Sequence, residues 1–128
     1  MSNREILGID IGGTGIKGAI VDIKKGKLIS EKIRILTPQP ATPKAVAEVF
    51  EMVAKELKYT GPIGCGFPAI IKNGVALSAA NVDEQWIDTN VKALLGRATG
   101  QEVYVANDAD LAGMAEMAYG VGAQEKYQ

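Results

Sequence analysis

The sequence predicts an α/β domain built on a mixed β-sheet of about five strands, three antiparallel and two parallel, with helices on its faces. Three apolar segments follow one another near the start of the chain with only short turns between them, which is typical of an antiparallel meander. Amphipathic helical patterns then alternate with short apolar strands. This alternation indicates parallel strands joined by helical crossovers.

The first two strands, at about residues 6–11 and 16–22, are joined by a glycine-rich turn. The turn consists of Gly12, Gly13, Thr14 and Gly15. Glycines permit positive φ and let a ligand approach main-chain N–H groups, which in succession can bind an anion. Lys17 adds a positive charge, and Asp10 ends the first strand, where a metal–phosphate could be held. The segment is interpreted as a phosphate-binding hairpin, with an ordinary tight hairpin as the alternative.

The elements that follow the hairpin are a third strand and a long amphipathic helix. The third strand is expected over residues 28–36, completing the antiparallel meander. Thr42 is expected as the N-cap of the helix, with Pro43 at its first position. Gly61 and Pro62 are expected to end the helix.

The second half of the chain continues the alternation of strands and helices. Its elements are expected to be a strand at 62–67, a helix at 89–99 ended by Gly100, a strand at 102–106 and a helix at 107–119. Asn73-Gly74 predicts a small hairpin after the first of these strands. Asn81 and Trp86 could line a sugar site, although a lone tryptophan after a loop more often anchors that loop in the core. The complete order of elements is the outline of a ribonuclease-H-like domain.

Composition excludes several classes of function for a domain of this size. The balance of 14 basic and 15 acidic residues argues against a nucleic-acid or membrane-surface partner. No apolar run approaches the ~20 residues of a membrane-spanning helix, and a single cysteine, Cys65, suits the reducing cytoplasm. Cys65 lies in an apolar strand and is expected to be a buried thiol. The chain has no histidine, so it cannot supply a histidine-based triad or zinc site.

A second polar group follows the strand at 102–106. Asn107 and Asp108 lie where this strand meets the start of the last predicted helix, and ligands of open α/β sheets gather at the carboxyl ends of strands. If the first and last strands are neighbours, or nearly so, Asp108 faces the same cleft as the glycine-rich turn. Asp108 could then accept a proton from a hydroxyl-bearing acceptor during phosphoryl transfer. A simple helix N-cap is an equally good interpretation of this residue.

Taken together, the motifs resemble the ROK family of sugar kinases, within the actin/hexokinase-like superfamily. The resemblance rests on Asp-Ile-Gly-Gly-Thr-Gly-Ile-Lys at 10–17 and on Asn-Asp-Ala-Asp at 107–110, followed by Gly-Val-Gly at 120–122. The segments at 36–43, 66–69 and 79–86 are similar to the polyphosphate glucokinase branch of the family. These separated motifs, in the right order, cover nearly the whole chain.

The resemblance implies a role for each matching residue. The hairpin at Gly12, Gly13, Thr14 and Gly15 approaches the transferred phosphoryl group, and Asp10 lies near Mg²⁺. Asp108 is the catalytic base on the sugar 6-hydroxyl, and Asn107 binds the sugar. The loops at Phe67, Pro68, Ala80 and Asn81 contribute to the sugar pocket.

The resemblance also implies an activity and a domain organisation. Members of this branch phosphorylate glucose with polyphosphate, often with ATP as well, and many are dimers. Residues 1–122 correspond to the amino-terminal domain, and residues 123–128 form a tail leading to a second domain that this sequence lacks. The chain alone is therefore expected to have little or no kinase activity. A kinase for another hexose, or a non-catalytic sugar-binding, phosphate-binding or self-associating domain, are the alternatives.

Overall fold

A computed structural model describes residues 5–22, 24, 27–68, 71–72, 75–76 and 83–107. The strands are β1 (Glu5–Ile11), β2 (Gly15–Asp22), β3 (Lys27–Leu28), β4 (Ile33–Leu36), β5 (Ile63–Phe67), β6 (Ile71–Lys72), β7 (Val75–Ala76) and β8 (Val103–Asn107). The helices are α1 (Pro43–Glu56) and α2 (Val91–Thr99), and a 3₁₀ turn covers Glu84–Trp86.

The main sheet is mixed, as predicted. Its strand order is β3-β2-β1-β5-β8, with β4 also paired to β2. The strands β1, β5 and β8 run parallel to one another, whereas β2 runs antiparallel to β1, β3 and β4. The antiparallel meander and the parallel crossovers are therefore both confirmed.

The prediction of a single third strand over residues 28–36 is wrong in one respect, because the structure divides this strand into β3 and β4. Between them the hydroxyl of Ser30 accepts a hydrogen bond from the N–H of Ile20 at 2.8 Å. This side chain takes the place of a main-chain acceptor in the ladder, so the strand breaks there while both of its parts stay on β2. The main sheet thus has six strands where about five were expected.

Helix α1 begins as predicted but ends earlier. The hydroxyl of Thr42 accepts a hydrogen bond from the N–H of Ala45 at 3.3 Å, which confirms the N-cap. The predicted end at Gly61 is wrong, because the last helical residue is Glu56. Lys58 adopts a φ of 51°, and this left-handed conformation turns the chain away from the helix axis. The signal was missed because the residue is a lysine and not a glycine.

The predictions for the second half of the chain hold where the structure describes it. Strands β6 and β7 pair antiparallel, which confirms a hairpin around residues 73–74, although those two residues lie outside the described part. Helix α2 ends at Thr99 and is capped by Gly100, whose φ is 71°. The helix predicted at 107–119 lies outside the described residues, apart from Asn107, which ends β8.

The core lies between the sheet and the two helices. α1 packs against α2 and against β2, and a Cβ atom at Gly18 would overlap Cγ1 of Val53. Cys65 and Trp86 are both fully buried, which confirms the expected buried thiol and places the tryptophan in the core. Neither of the helices within the described ranges is long and apolar enough to cross a membrane.

Candidate active site

The candidate active site lies at the edge of the sheet where the parallel strands end. Because β1, β5 and β8 run in the same direction, the glycine-rich turn follows β1, Pro68 follows β5 and Asn107 ends β8, all at this edge. One strand separates β1 from β8, so their ends are about 10 Å apart at the usual spacing of strands. The condition given for a shared cleft, that the first and last strands are neighbours or nearly so, is therefore met.

Three successive carbonyl groups of the glycine-rich turn are bound by residues after β4. The hydroxyl of Thr37 donates to the carbonyl of Gly12 at 2.6 Å, and the side-chain amide of Gln39 donates to the carbonyl of Gly13 at 3.0 Å. The main-chain N–H of Thr37 donates to the carbonyl of Thr14 at 3.1 Å. We call residues 37–42 the anchoring segment. Sequence reasoning missed its role, although two polar residues that are each followed directly by a proline were a possible signal.

These bonds orient the N–H groups of the turn. In a trans peptide the carbonyl and the following N–H point in opposite directions, so the N–H groups of Gly13 and Thr14 point away from the anchoring segment. No described residue accepts a hydrogen bond from either N–H. Both residues lie at the surface, Thr14 fully and Gly13 partly. Two neighbouring donors of this kind are suited to an anion such as a phosphate.

One glycine of the turn, Gly12, is explained by packing, and neither Gly12 nor Gly15 is explained by positive φ. Gly12 and Gly15 do not adopt positive φ, contrary to the expectation from sequence. A Cβ atom on Gly12 would lie 2.9 Å from the carbonyl oxygen of Gly15, so the turn itself excludes a side chain there. A Cβ atom on Gly15 would lie 2.6 Å from Nε of Arg34. The guanidinium of Arg34 therefore occupies the space beside Gly15.

Asp10, Lys17 and Arg34 form a row of charged residues across three strands. Asp10 is the partner of Lys17 in the β1–β2 ladder, and Lys17 is the partner of Arg34 in the β2–β4 ladder. Directly opposed residues share one face of a sheet, so the three side chains lie on the same face, next to the turn in space. The pKa of the Cys65 thiol is raised mainly by burial, and to a smaller extent by the nearby negative charge of Asp10.

Asp10 places one carboxylate on β1, next to the glycine-rich turn. The described ranges contain no cluster of three or more histidine, cysteine or acidic side chains. Mg²⁺ is commonly bound through one or two carboxylates together with phosphate oxygens and water. Asp10, one residue before the end of β1, fits that single-carboxylate pattern.

The end of β5 is packed into the core. Phe67 is fully buried, and its ring centroid lies 4.5 Å from that of Trp86. Nε1 of Trp86 donates a hydrogen bond to the carbonyl of Ala41 at 2.8 Å, and the N–H of Asp83 donates to the same oxygen at 3.2 Å. Pro68 is also buried. The anchoring segment thus contacts the glycine-rich turn at one end and this aromatic pair at the other.

The remaining predicted site residues are only partly covered by the structure. Asn107 ends β8 as the ladder partner of Phe67. Asp108, Ala80 and Asn81 lie outside the described residues. The structure therefore brings together the turn, Asp10, Lys17 and the strand ends that precede the other predicted residues.

Comparison with known proteins gives a consistent result. The ROK family profile matches residues 6–128. Polyphosphate glucokinase of Mycobacterium tuberculosis is 48% identical over 122 residues, which are 94% of this chain and 46% of that protein. The crystal structure of the inorganic polyphosphate/ATP-glucomannokinase of Arthrobacter sp. strain KM superposes with a TM-score of 0.82 and 54% identity, covering 94% of this chain and 50% of that one.

A more distant solved structure has the same fold. The ROK family glucokinase of Streptomyces griseus, in complex with glucose and AMPPNP, has a TM-score of 0.74 and 26% identity over 92% of this chain and 38% of its own. This chain thus spans slightly less than half the length of the curated M. tuberculosis relative. The order of strands, the glycine-rich turn and the family match over residues 6–128 agree, and the chain belongs to the ROK family.

Proposed function

We propose that this chain forms the phosphate-binding and base-supplying part of a glucokinase. The enzyme transfers a phosphoryl group from polyphosphate or ATP to the 6-hydroxyl of glucose. The observation that carries the proposal is the turn whose carbonyls are bound by the anchoring segment while the N–H groups of Gly13 and Thr14 point the other way. The identity of 48% to a polyphosphate glucokinase supports the choice of reaction.

On the donor side, the turn holds the phosphoryl group that is transferred. The N–H groups of Gly13 and Thr14 donate hydrogen bonds to its oxygens, and Lys17 contributes positive charge. Gly12 and Gly15 keep the turn narrow. Asp10 is proposed to hold Mg²⁺ through its carboxylate, and the metal when bound neutralises charge on the donor phosphates.

On the acceptor side, Asp108 acts as the general base. It takes the proton of the glucose 6-hydroxyl as the oxygen forms its bond to phosphorus, and the bond from phosphorus to the donor oxygen breaks. The leaving group is the shortened polyphosphate or ADP. Asn107, Ala80 and Asn81 are proposed to bind the sugar. Since Phe67 and Pro68 are buried, they contribute through the main chain and by supporting the loop.

A second candidate acceptor is mannose. The relative from Arthrobacter, 54% identical to this chain, is described as a glucomannokinase. A pocket that accepts both hexoses discriminates little at the carbon where they differ. Mannose therefore belongs in every assay of acceptor choice.

The proposal includes a cellular setting. We propose a cytoplasmic enzyme that has no nucleic-acid or membrane partner and that forms a homodimer. The balanced charge and the buried Cys65 support this setting. We also propose that residues 1–122 form one domain, followed by the tail at 123–128. A purely sugar-binding or self-associating module is the competing proposal, and it requires no turnover.

The test replaces the matching 122-residue segment of the M. tuberculosis polyphosphate glucokinase with this chain and measures glucose 6-phosphate formation. Polyphosphate and ATP are supplied separately, with glucose or mannose as acceptor. We expect turnover that falls about 10²-fold or more in the Asp108→Asn variant, the usual contribution of a general base. The chain alone is assayed beside the chimera. A folded chimera without turnover contradicts the proposal, and full activity of Asp108→Asn removes the assigned base.

A further inference from the structure

We propose that Arg34 binds a second phosphate of the donor, the one next to the phosphoryl group held in the glycine-rich turn. This inference rests on the proposed function, because it assumes that the turn binds the end of an oligophosphate chain. It adds a residue from the middle of the chain to the donor site. The ligand class is a linear chain of phosphates, either inorganic polyphosphate or the triphosphate of a nucleotide.

The position of Arg34 is the first argument. Its guanidinium lies against Gly15, the last residue of the turn, so closely that a Cβ atom there would be 2.7 Å from Cζ. In the β2–β4 ladder Arg34 is opposite Lys17, and the two side chains share one face of the sheet. The Arg34 guanidinium therefore lies beside the last residue of the turn, and Lys17 shares its face of the sheet, both on regular strands and not on a loop.

The availability of the guanidinium is the second argument. Arg34 is exposed, and none of the described residues offers it a carboxylate partner. Its neighbour Leu36, two residues along the same face, is 72% exposed, so this side of the turn is open to solvent. An arginine that served only to fill the space beside Gly15 would need its aliphatic part there, whereas here the charged head is the group in contact.

The chemistry of the ligand is the third argument. A guanidinium offers several N–H donors in one plane and can bind two oxygens of a phosphate together. When the terminal phosphate of a chain lies in the turn, the next phosphate lies one bridging oxygen away. Arg34, packed on the last residue of the turn, is the cation placed to meet it. An isolated orthophosphate has no such second group.

The experiment measures binding of tripolyphosphate, ATP and orthophosphate to the 128-residue chain by isothermal titration calorimetry at low ionic strength. The variant Arg34→Gln removes the charge, and Arg34→Lys keeps the charge but removes the planar fork. Arg97→Gln, an exposed arginine on α2, is the matched control for loss of one positive charge. Thermal unfolding confirms that each variant is folded.

We expect Arg34→Gln to weaken tripolyphosphate binding about tenfold or more, since hydrogen bonds to charged groups are individually strong. Arg34→Lys should recover only part of this loss, while Arg97→Gln and orthophosphate binding stay near the unmodified values. A loss for tripolyphosphate alone assigns Arg34 to the inorganic donor, and an equal loss for ATP assigns it to both.

The outcomes separate this inference from the proposed function. If the unmodified chain binds tripolyphosphate and Arg34→Gln binds it equally well, the role of Arg34 is refuted while the phosphate turn stands. If Arg34→Gln and Arg97→Gln lose the same affinity, the effect is one of net charge and the inference also fails. If the unmodified chain binds none of the three ligands, the assignment of the turn fails as well.

Discussion

Replacing Thr37 by valine tests whether the anchoring segment holds the turn in its binding conformation. Valine has nearly the same shape as threonine, but it cannot donate to the carbonyl of Gly12, which the hydroxyl now contacts at 2.6 Å. Thr37 is 5% exposed, so little water reaches the side chain, whereas Gly12 is partly exposed and its carbonyl can be rehydrated. We therefore expect a loss of about 1 kcal/mol of stability, at the lower end of the range for a lost hydrogen bond.

The same change should weaken phosphate binding. If that bond contributes about 1 kcal/mol to the binding conformation, the affinity for tripolyphosphate falls about fivefold. Stability is measured by thermal unfolding monitored by circular dichroism. For a chain of this size, a loss of 1 kcal/mol of stability lowers Tm by about 4 °C. Affinity is measured by calorimetry. Thr37→Ser keeps the hydroxyl and should retain most of both quantities.

A matched control separates orientation from general stability. Thr99 makes a similar bond at the end of α2, where its hydroxyl donates to the carbonyl of Leu95 at 2.9 Å and also accepts from the N–H of Gln101 at 3.3 Å. Thr99→Val should lower Tm by a similar amount without changing the affinity for tripolyphosphate. The reasoning is refuted if Thr37→Val binds tripolyphosphate as tightly as Thr99→Val does.

Two further changes probe the core beneath the site. Gly18→Ala should lower the free energy of unfolding in urea by about 1–3 kcal/mol, because the new methyl group overlaps Cγ1 of Val53. Adding Val53→Ala should recover part of that loss. An unchanged urea midpoint for Gly18→Ala would disprove the close packing of α1 on β2. Cys65 should resist thiol reagents in the native protein at pH 8 and react at once in urea, because burial raises the pKa of its thiol. A raised pKa means that the thiol adds stability below the pKa of the unfolded chain, about 8.5, and that this stability is lost as the pH rises above it. Rapid labelling of the folded protein would contradict the buried position.

The parts of the fold that could be predicted from sequence are those set by local chemistry. Thr42 marks the start of α1 because its side chain accepts a hydrogen bond from the first turn of the helix. Gly100 marks the end of α2 because glycine readily adopts the left-handed conformation of a C-cap. The alternation of apolar strands with amphipathic helices likewise gave the parallel order that brings the strand ends together. The break at Ser30 and the left-handed Lys58 were missed, since neither residue type is a usual signal for what it does there.

The site was predictable only where its residues are close in sequence. The glycine-rich turn with Asp10 and Lys17 is one continuous segment, and its pattern predicted an anion site, which stays a prediction. Thr37 and Gln39 bind carbonyls 25 and 26 residues earlier in the chain, and no local pattern reports such contacts. The contact of Arg34 with Gly15 was missed for the same reason, since it depends on the pairing of β4 with β2.

The anchoring segment has a consequence for how the two halves of the cleft respond to change. The hydroxyl of Thr37 donates to the glycine-rich turn, and four residues later the carbonyl of Ala41 accepts a hydrogen bond from Trp86, which packs on Phe67 at the end of β5. The glycine-rich turn and the end of β5 are thus both held by one short segment that contains two prolines, and we expect a change at one of them to shift the other. The free-energy effects of Thr37→Val and Trp86→Phe on glucose and tripolyphosphate binding should accordingly be non-additive, and strict additivity in a double-mutant cycle would show that the two sides move independently.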